Sequence, residues 1–248
     1  MRMLAPVAIS SVSLASGQTP NLTYPVTNLL LDEPELSFVV VSGGYVVSIR
    51  PVVTGTINSF VLLGVQSLNT GVVFTNDPSG AVPGAVITGY DDPYRVGRRN
   101  YWITFTQQTV TATAFRIIIP MTVGNPTEVV RAGVLKAGIT TEHTGLLFPL
   151  AEASEDPTQV VQMADSSLYR AAQLPVRRTF GATMRAARTT VESFVDTCRR
   201  SQGVPTMFQL APDLGDRYFV YGRMTTQPAA DHSWPVVSNA SFSVQEWV

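Results

Sequence analysis

Short apolar runs separated by turn-forming residues fill the first half of the chain. From about residue 36 to 120, runs rich in Val, Ile, Thr and Phe alternate with clusters of Gly, Pro, Asn and Asp. This pattern is typical of antiparallel strands joined by turns. We predict strands at 36–41, 45–53, 57–65, 71–75, 85–88, 101–107 and 110–119, and their spacing indicates a sandwich or jelly roll.

Alternation within the run 101–105 indicates a strand with two different faces. Tyr101, Ile103 and Phe105 share one face, while Trp102 and Thr104 share the other. One face can therefore be buried in a core while the other meets a second layer or a partner.

One helix is predicted in the second half, at about 189–202. Thr189 and Glu192 fit a capping box, in which the Thr189 hydroxyl accepts from the Glu192 amide and the carboxylate returns the bond. Gly203 and Pro205 end the helix. Four apolar residues recur at helical spacing and form its core face: Val191, Phe194, Val195 and Cys198.

Strand patterns flank this helix, which gives the order β, helix, β, β of an α+β unit. The flanking strands are predicted at 176–184, 218–224 and 236–247, and residues 225–235 are expected to form a long projecting loop. A further strand at 129–139 leads out of the first domain. We therefore expect a mainly β chain with a sandwich at 1–130, including an N-terminal extension at 1–20, and a barrel-like domain with one helix at 131–248.

The charge content excludes several classes of function. Only 14% of residues are Asp, Glu, Lys or Arg, and the net charge is −1, which argues against nucleic acid as a partner and mildly favours association with other subunits. Eighteen consecutive apolar residues occur nowhere, so no membrane span is predicted. A single cysteine excludes an internal disulfide and a cysteine-based zinc site.

The residues available for catalysis do not form a recognisable constellation. His143 and His232 both lie in predicted loops and are expected to be exposed, and there is no Gly-x-Ser-x-Gly elbow. A glycosidase would need two carboxylates facing each other, and the first half offers six acids that the sequence cannot pair: Asp32, Glu33, Glu35, Asp77, Asp91 and Asp92. We therefore predict no catalytic residue, metal site or cofactor, and a protein that is not an enzyme.

One loop is a candidate for binding a ligand or partner. Its candidate residues are Asp91, Asp92, Tyr94, Arg98 and Arg99. A solvated turn explains most of them, and a calcium ion held by the two aspartates is a weaker alternative. Nearby aromatic residues would serve either as a sugar-stacking platform or as core and interface packing: Tyr90, Tyr94, Tyr101 and Trp102.

Several motifs together resemble a known group of proteins. The opening at 23–30, TYPVTNLL, is followed by a β-type run at 45–53 and by INSFVLLG at 57–64. These resemble the amino-terminal domain of phage and prophage tail proteins, a discoidin-like, galactose-binding-type jelly roll. The run 101–105 is similar to a later core strand of that domain. In the second half, Phe180, Gly203 to Pro205, Tyr221-Gly222 and the run 242–247 resemble the carboxy-terminal region of those proteins.

The resemblance implies a structural role in the virion. The β, helix, β, β order is similar to the ring-forming split barrel of distal tail proteins, which join the tail tube to the tip. The implied partners are copies of the chain in a ring and other tail proteins, namely the tube, hub and tape measure, after assembly in the host cytoplasm. The alternative is a carbohydrate-binding module that attaches the particle to a host glycan through the loops near 76–100.

Overall fold

A computed structural model gives the fold. It describes residues 1–15, 18, 21–33, 36–41, 46–69, 71–77, 80–92, 96–111, 114–122, 128–147, 150–155, 160–162, 168–170, 176–201, 203–211, 218–232 and 236–247. The chain is mainly β, with one α-helix in the described residues, as the sequence predicts. It divides into two compact units. The first unit comprises Met1–Glu142 and Thr206–Phe219, and the second comprises His143–Pro205 and Val220–Val248.

The first unit contains two main antiparallel sheets. Six strands lie in the order β16-β1-β11-β5-β8-β7, four in the order β2-β4-β9-β6, and β3 pairs with β10. Their bounds are β1 Arg2–Val7, β2 Ile9–Leu14, β3 Phe38–Val41, β4 Val46–Val53, β5 Gly55–Val65, β6 Val73–Asn76, β7 Val86–Asp91, β8 Arg99–Val110, β9 Phe115–Pro120, β10 Val129–Ala132, β11 Leu135–Glu142 and β16 Thr206–Gln209. A short 3-10 helix spans Val26–Leu30.

Aromatic side chains join the two sheets into a sandwich. Phe60 of β5 and Phe105 of β8 come from the six-stranded sheet, and Phe74 of β6 and Phe115 of β9 come from the four-stranded sheet. Phe60 lies 5.7 Å from Phe74 and 5.5 Å from Phe115 between ring centroids, within the usual range for interacting rings. All four rings are buried, so the predicted sandwich core is confirmed.

The second unit is built on a four-stranded antiparallel sheet in the order β12-β15-β18-β17. The bounds are β12 Ala151–Glu155, β15 Arg177–Ala187, β17 Phe219–Asp231 and β18 Val237–Glu246, and a separate hairpin pairs β13 Val160–Gln162 with β14 Leu168–Arg170. The helix α1, Arg188–Arg200, packs on β15 and β18. Phe194 of α1 meets Phe242 of β18 at 5.0 Å between ring centroids.

The predicted helix core is confirmed, whereas the predicted capping box is wrong. Val191, Phe194, Val195 and Cys198 are all buried. The helix begins one residue earlier than expected, directly after β15, and its N-cap residue Ala187 makes no side-chain hydrogen bond. Glu192 instead accepts from Arg188 Nε at 2.8 Å, so an i,i+4 ion pair takes the carboxylate that the capping box required.

Long-range pairing changes the predicted organisation at three places. Residues expected to be an N-terminal extension form β1 and β2, because β1 pairs with β11 and β2 pairs with β4. The predicted strand 129–139 is two strands, and both pair within the first unit, which therefore extends past the expected boundary at residue 130. Residues Thr206–Gln209 form β16, which pairs with β1, so this segment returns to the first unit.

The long projecting loop expected at 225–235 is also wrong. β17 and β18 remain paired as far as Asp231 and Asn239. Register shifts between Met224 and Thr226 and between Thr226 and Ala229 accommodate Pro228, which cannot donate a hydrogen bond to the ladder.

Candidate functional site

The β7–β8 hairpin places four of the five predicted ligand-loop residues together. Asp91, the last residue of β7, is paired in register with Arg99, the first residue of β8. The Asp92 amide donates to the Arg98 carbonyl at 3.0 Å, which continues the pairing one step toward the turn. Tyr94 lies outside the described residues. These four residues lie together because a hairpin brings together residues that are close in sequence.

These residues line a cavity of about 400 Å³ in the first unit. Arg99 Nε lies 3.2 Å from Asp91 Oδ1, and the Arg99 guanidinium lies 6.0 Å from the centre of the Tyr101 ring. The end of β5 and the segment after it, including Ser67 and Asn69, also line the cavity. The cavity thus combines carboxylates, guanidinium groups, hydroxyls and one aromatic residue, which is suited to a polar ligand of small-molecule size.

The Tyr101 hydroxyl at this cavity remains protonated at neutral pH. Burial raises the pKa of Tyr101 above its ordinary value, the Arg99 charge lowers it, and the Asp91 charge adds a smaller increase. The group can therefore both donate and accept a hydrogen bond.

Glu128 is a buried carboxylate, missed by the sequence analysis, that fixes the segment after β5 by hydrogen bonds. Glu128 Oε1 accepts from the Ser67 hydroxyl and from the Leu68 amide, each at 3.0 Å. Its other oxygen, Oε2, accepts from the Thr122 amide at 2.5 Å. Burial alone would raise the pKa of Glu128, but these donors together hold it below the ordinary value. Glu128 is about 60 residues from Ser67 and Leu68, so no local signal in the sequence indicates these two contacts.

Two of the aromatic residues considered as a sugar platform belong to the core instead. Tyr90 stacks on Phe219 at 4.2 Å between centroids, and its hydroxyl accepts from Gln209 Nε2 at 2.8 Å. Trp102 meets Phe219 edge-on, and Trp102 Nε1 donates to the Thr140 hydroxyl at 2.9 Å. Tyr90, Trp102 and Tyr101 are all buried, and of the described aromatic residues only Tyr101 lines the cavity.

The two histidines have different environments, and the expectation that both are exposed is wrong. His143 is buried, with its ring edge-on to Phe194 at 5.2 Å, because helix α1 covers it. Burial lowers the pKa of His143, so the ring is neutral at neutral pH. His232 is exposed, and its Nδ1 lies 2.7 Å from the Ser238 hydroxyl.

Two of the acids considered for glycoside hydrolysis are held in ion pairs, and two others line the cavity. Asp32 pairs with Lys136, and Asp77 pairs with Arg50 and Arg116, whereas Asp91 and Asp92 line the cavity. Glu35 lies outside the described residues. Among the residues that the structure describes, no three His, Cys, Asp or Glu side chains are grouped as metal ligands.

The remaining reactive side chain is enclosed in the helix core. Cys198 is buried, and burial raises the pKa of its thiol to about 12, so the thiolate is not populated at neutral pH.

In the described part of the chain, no helix is long and apolar enough to cross a membrane. Comparison with protein-family models, with curated proteins and with solved structures finds no significant match to this chain.

Proposed function

We propose that this chain is a non-enzymatic structural component of the tail tip of a tailed bacteriophage, of the distal tail type. Copies of the chain would form a ring that joins the tail tube to the tip proteins. The resemblance at 23–30, 57–64 and in the second half supports this proposal. So does the mainly β architecture, in which one helix packs on an antiparallel sheet of the second unit.

The observation that carries the proposal is a patch of uncharged side chains on one sheet face of the second unit, flanked on β15 by Arg177 and Arg185. Alternate residues of β15 and β18 pack toward α1, so the residues between them point to the other face. That second face carries small side chains at exposed or half-buried positions: Ala151, Gly181, Thr183, Thr226, Ser241 and Ser243. They line a shallow depression of about 500 Å³, and none of the described residues that line it is charged.

Such a face is suited to contact with another protein surface. Small side chains let a second backbone approach closely, and burying uncharged hydroxyls costs less than burying charges because they can exchange hydrogen bonds across the interface. The Thr183 and Ser241 hydroxyls already lie 3.0 Å apart across the strands. If this face contacts a different surface of the next copy and the rotation closes, a ring results. We call this surface of the sheet the small-residue face.

A charge placed on the small-residue face tests the proposal. In the variant Ser241→Arg, the new guanidinium would have to be desolvated in the interface, so we expect light scattering to show smaller particles than for wild type. Thr189→Arg is the matched control, because Thr189 is exposed on α1, on the helix side of the sheet. Equal particle masses for the two variants and wild type would refute the role of this face, and a monomeric wild type would refute the ring.

The cavity at the β7–β8 hairpin favours a second candidate function, binding of a host glycan. Its volume of about 400 Å³ and its lining by Asp91, Asp92, Arg98, Arg99 and Tyr101 match the polar groups that recognise sugar hydroxyls. Calorimetric titration with a panel of saccharides tests this function. Binding that is lost in Asp92→Ala and retained in Glu33→Ala, a change at an exposed acid, would support it. No binding at millimolar sugar would remove it.

A further inference from the structure

Two arginines meet on one carboxylate at the four-stranded sheet of the first unit. Arg50 Nη2 and Arg116 Nη2 lie 3.2 Å and 2.7 Å from the same oxygen, Asp77 Oδ1. The register pairs Ile49 with Ile117, and its continuation puts Arg50 opposite Arg116. Both isoleucines are buried in the sandwich core, so the two arginines point to the outer face of the sheet.

This cluster has one more positive charge than negative. The row across the sheet continues from Arg50 to Ser13 on one side and from Arg116 to Thr75 on the other, and both flanking residues are uncharged. The side chains of Arg50 and Arg116 are 30% and 21% exposed, and that of Asp77 is 14% exposed. Partial burial strengthens the field of the excess charge and leaves a path for a ligand from solvent.

Three polar atoms on this outer face have no hydrogen-bond partner among the described residues. They are Arg50 Nε, Arg116 Nε and Ser48 Oγ, and all three are buried. Ser48 precedes Arg50 by two residues on β4, so their side chains share the face. Buried donors without partners are rare in proteins, and three on one face point to an acceptor that binds there.

We propose that Ser48, Arg50, Asp77 and Arg116 form a binding site for an oxyanion. A guanidinium group presents donors in a planar fork that matches the oxygens of a phosphate or a carboxylate. Asp77 holds the two forks close together, and the excess positive charge attracts the ligand. The oxyanion is either a free inorganic ion or the acidic group of a saccharide. This site is separate from the β7–β8 cavity and does not depend on ring formation.

Titration of the full chain with sodium phosphate and with sodium glucuronate, at constant ionic strength in chloride, tests the proposal. We expect wild type to bind at least one of the two, and the one that binds identifies the source of the oxyanion. Arg116→Gln removes a charged donor and should weaken binding about tenfold or more. Asp77→Asn removes the competing negative charge and should strengthen binding about tenfold.

The gain expected for Asp77→Asn separates a binding site from a structural ion pair, because loss of a purely structural pair would not raise affinity. Arg131→Gln is the matched control, since Arg131 is an exposed arginine on β10 of the same unit, and its affinity should equal that of wild type. Absence of binding by wild type would overturn the proposal. So would equal affinity of Arg116→Gln and Arg131→Gln, or a failure of Asp77→Asn to bind more tightly.

Discussion

A buried ion pair between Arg178 and Glu246 tests the packing of β15 against β18 in the second unit. Arg178 Nε and Nη2 donate to Glu246 Oε2 and Oε1 at 3.0 Å and 2.8 Å, so the contact between β15 and β18 is bidentate. The two side chains are only 11% and 5% exposed. Removal of one partner leaves a buried charge without compensation, which costs about 3–5 kcal/mol in proteins. We therefore expect Glu246→Ala to destabilise the second unit by that amount.

Hydrogen exchange followed by mass spectrometry is the assay, because it reports on each unit of the full chain separately. A loss of about 3 kcal/mol corresponds to exchange more than about a hundredfold faster in peptides from β15 and β18. Peptides from β5 and β8 of the first unit should be unchanged. Glu192→Gln is the control, since it breaks the exposed Arg188–Glu192 pair on α1 and should leave exchange close to wild type.

A double variant distinguishes a lost charge partner from a lost contact. With Arg178→Met and Glu246→Leu together no charge is left unpaired, and we expect most of the stability to return. If Glu246→Ala exchanges at the wild-type rate, the pair is not buried as described. If the double variant is as unstable as the single one, unpaired charge is not the cause of the loss.

Three further predictions concern the cores and the Glu128 carboxylate. Because the pKa of Glu128 is lower in the folded chain, the stability that its carboxylate contributes is complete above the ordinary glutamate pKa and is lost as pH falls below it. Glu128→Gln should destabilise the first unit by about 2–4 kcal/mol at neutral pH and reduce this dependence of stability on pH in denaturant titrations. An unchanged dependence on pH would refute the role of the Glu128 carboxylate. Cys198 should resist iodoacetamide at neutral pH in the native chain and react after unfolding, and rapid native labelling would contradict its burial. Gly138→Ala should disrupt β1–β11 pairing, since the added methyl group would clash with the Ala5 carbonyl, whereas Gly71→Ala has open space; equal melting temperatures would refute this contact.

Local patterns predicted most of the strands and the helix. Val46–Val53 and Gly55–Val65 lie within about two residues of the predicted strands 45–53 and 57–65, and α1 begins one residue before its predicted start. In each case hydrophobic periodicity and the neighbouring turn residues specify the element. The capping box failed because Glu192 had a second partner, Arg188, on the same helix face.

Contacts between distant segments could not be predicted in the same way. β16 pairs with β1 across some 200 residues, and Arg50 approaches Arg116 only because β4 and β9 are neighbours in the sheet. Asp91, Asp92, Arg98 and Arg99 were found together because one hairpin connects them. Ser67 and Glu128 were missed because the wall of the cavity depends on pairing that no local pattern encodes.

The central claim, that copies of this chain assemble into a ring, is tested most directly by electron microscopy of the purified full-length chain. We expect closed rings of uniform diameter with rotational symmetry, and we expect Ser241→Arg to abolish them while Thr189→Arg does not. Fields of isolated monomers for wild type, or rings that persist unchanged in Ser241→Arg, would contradict it.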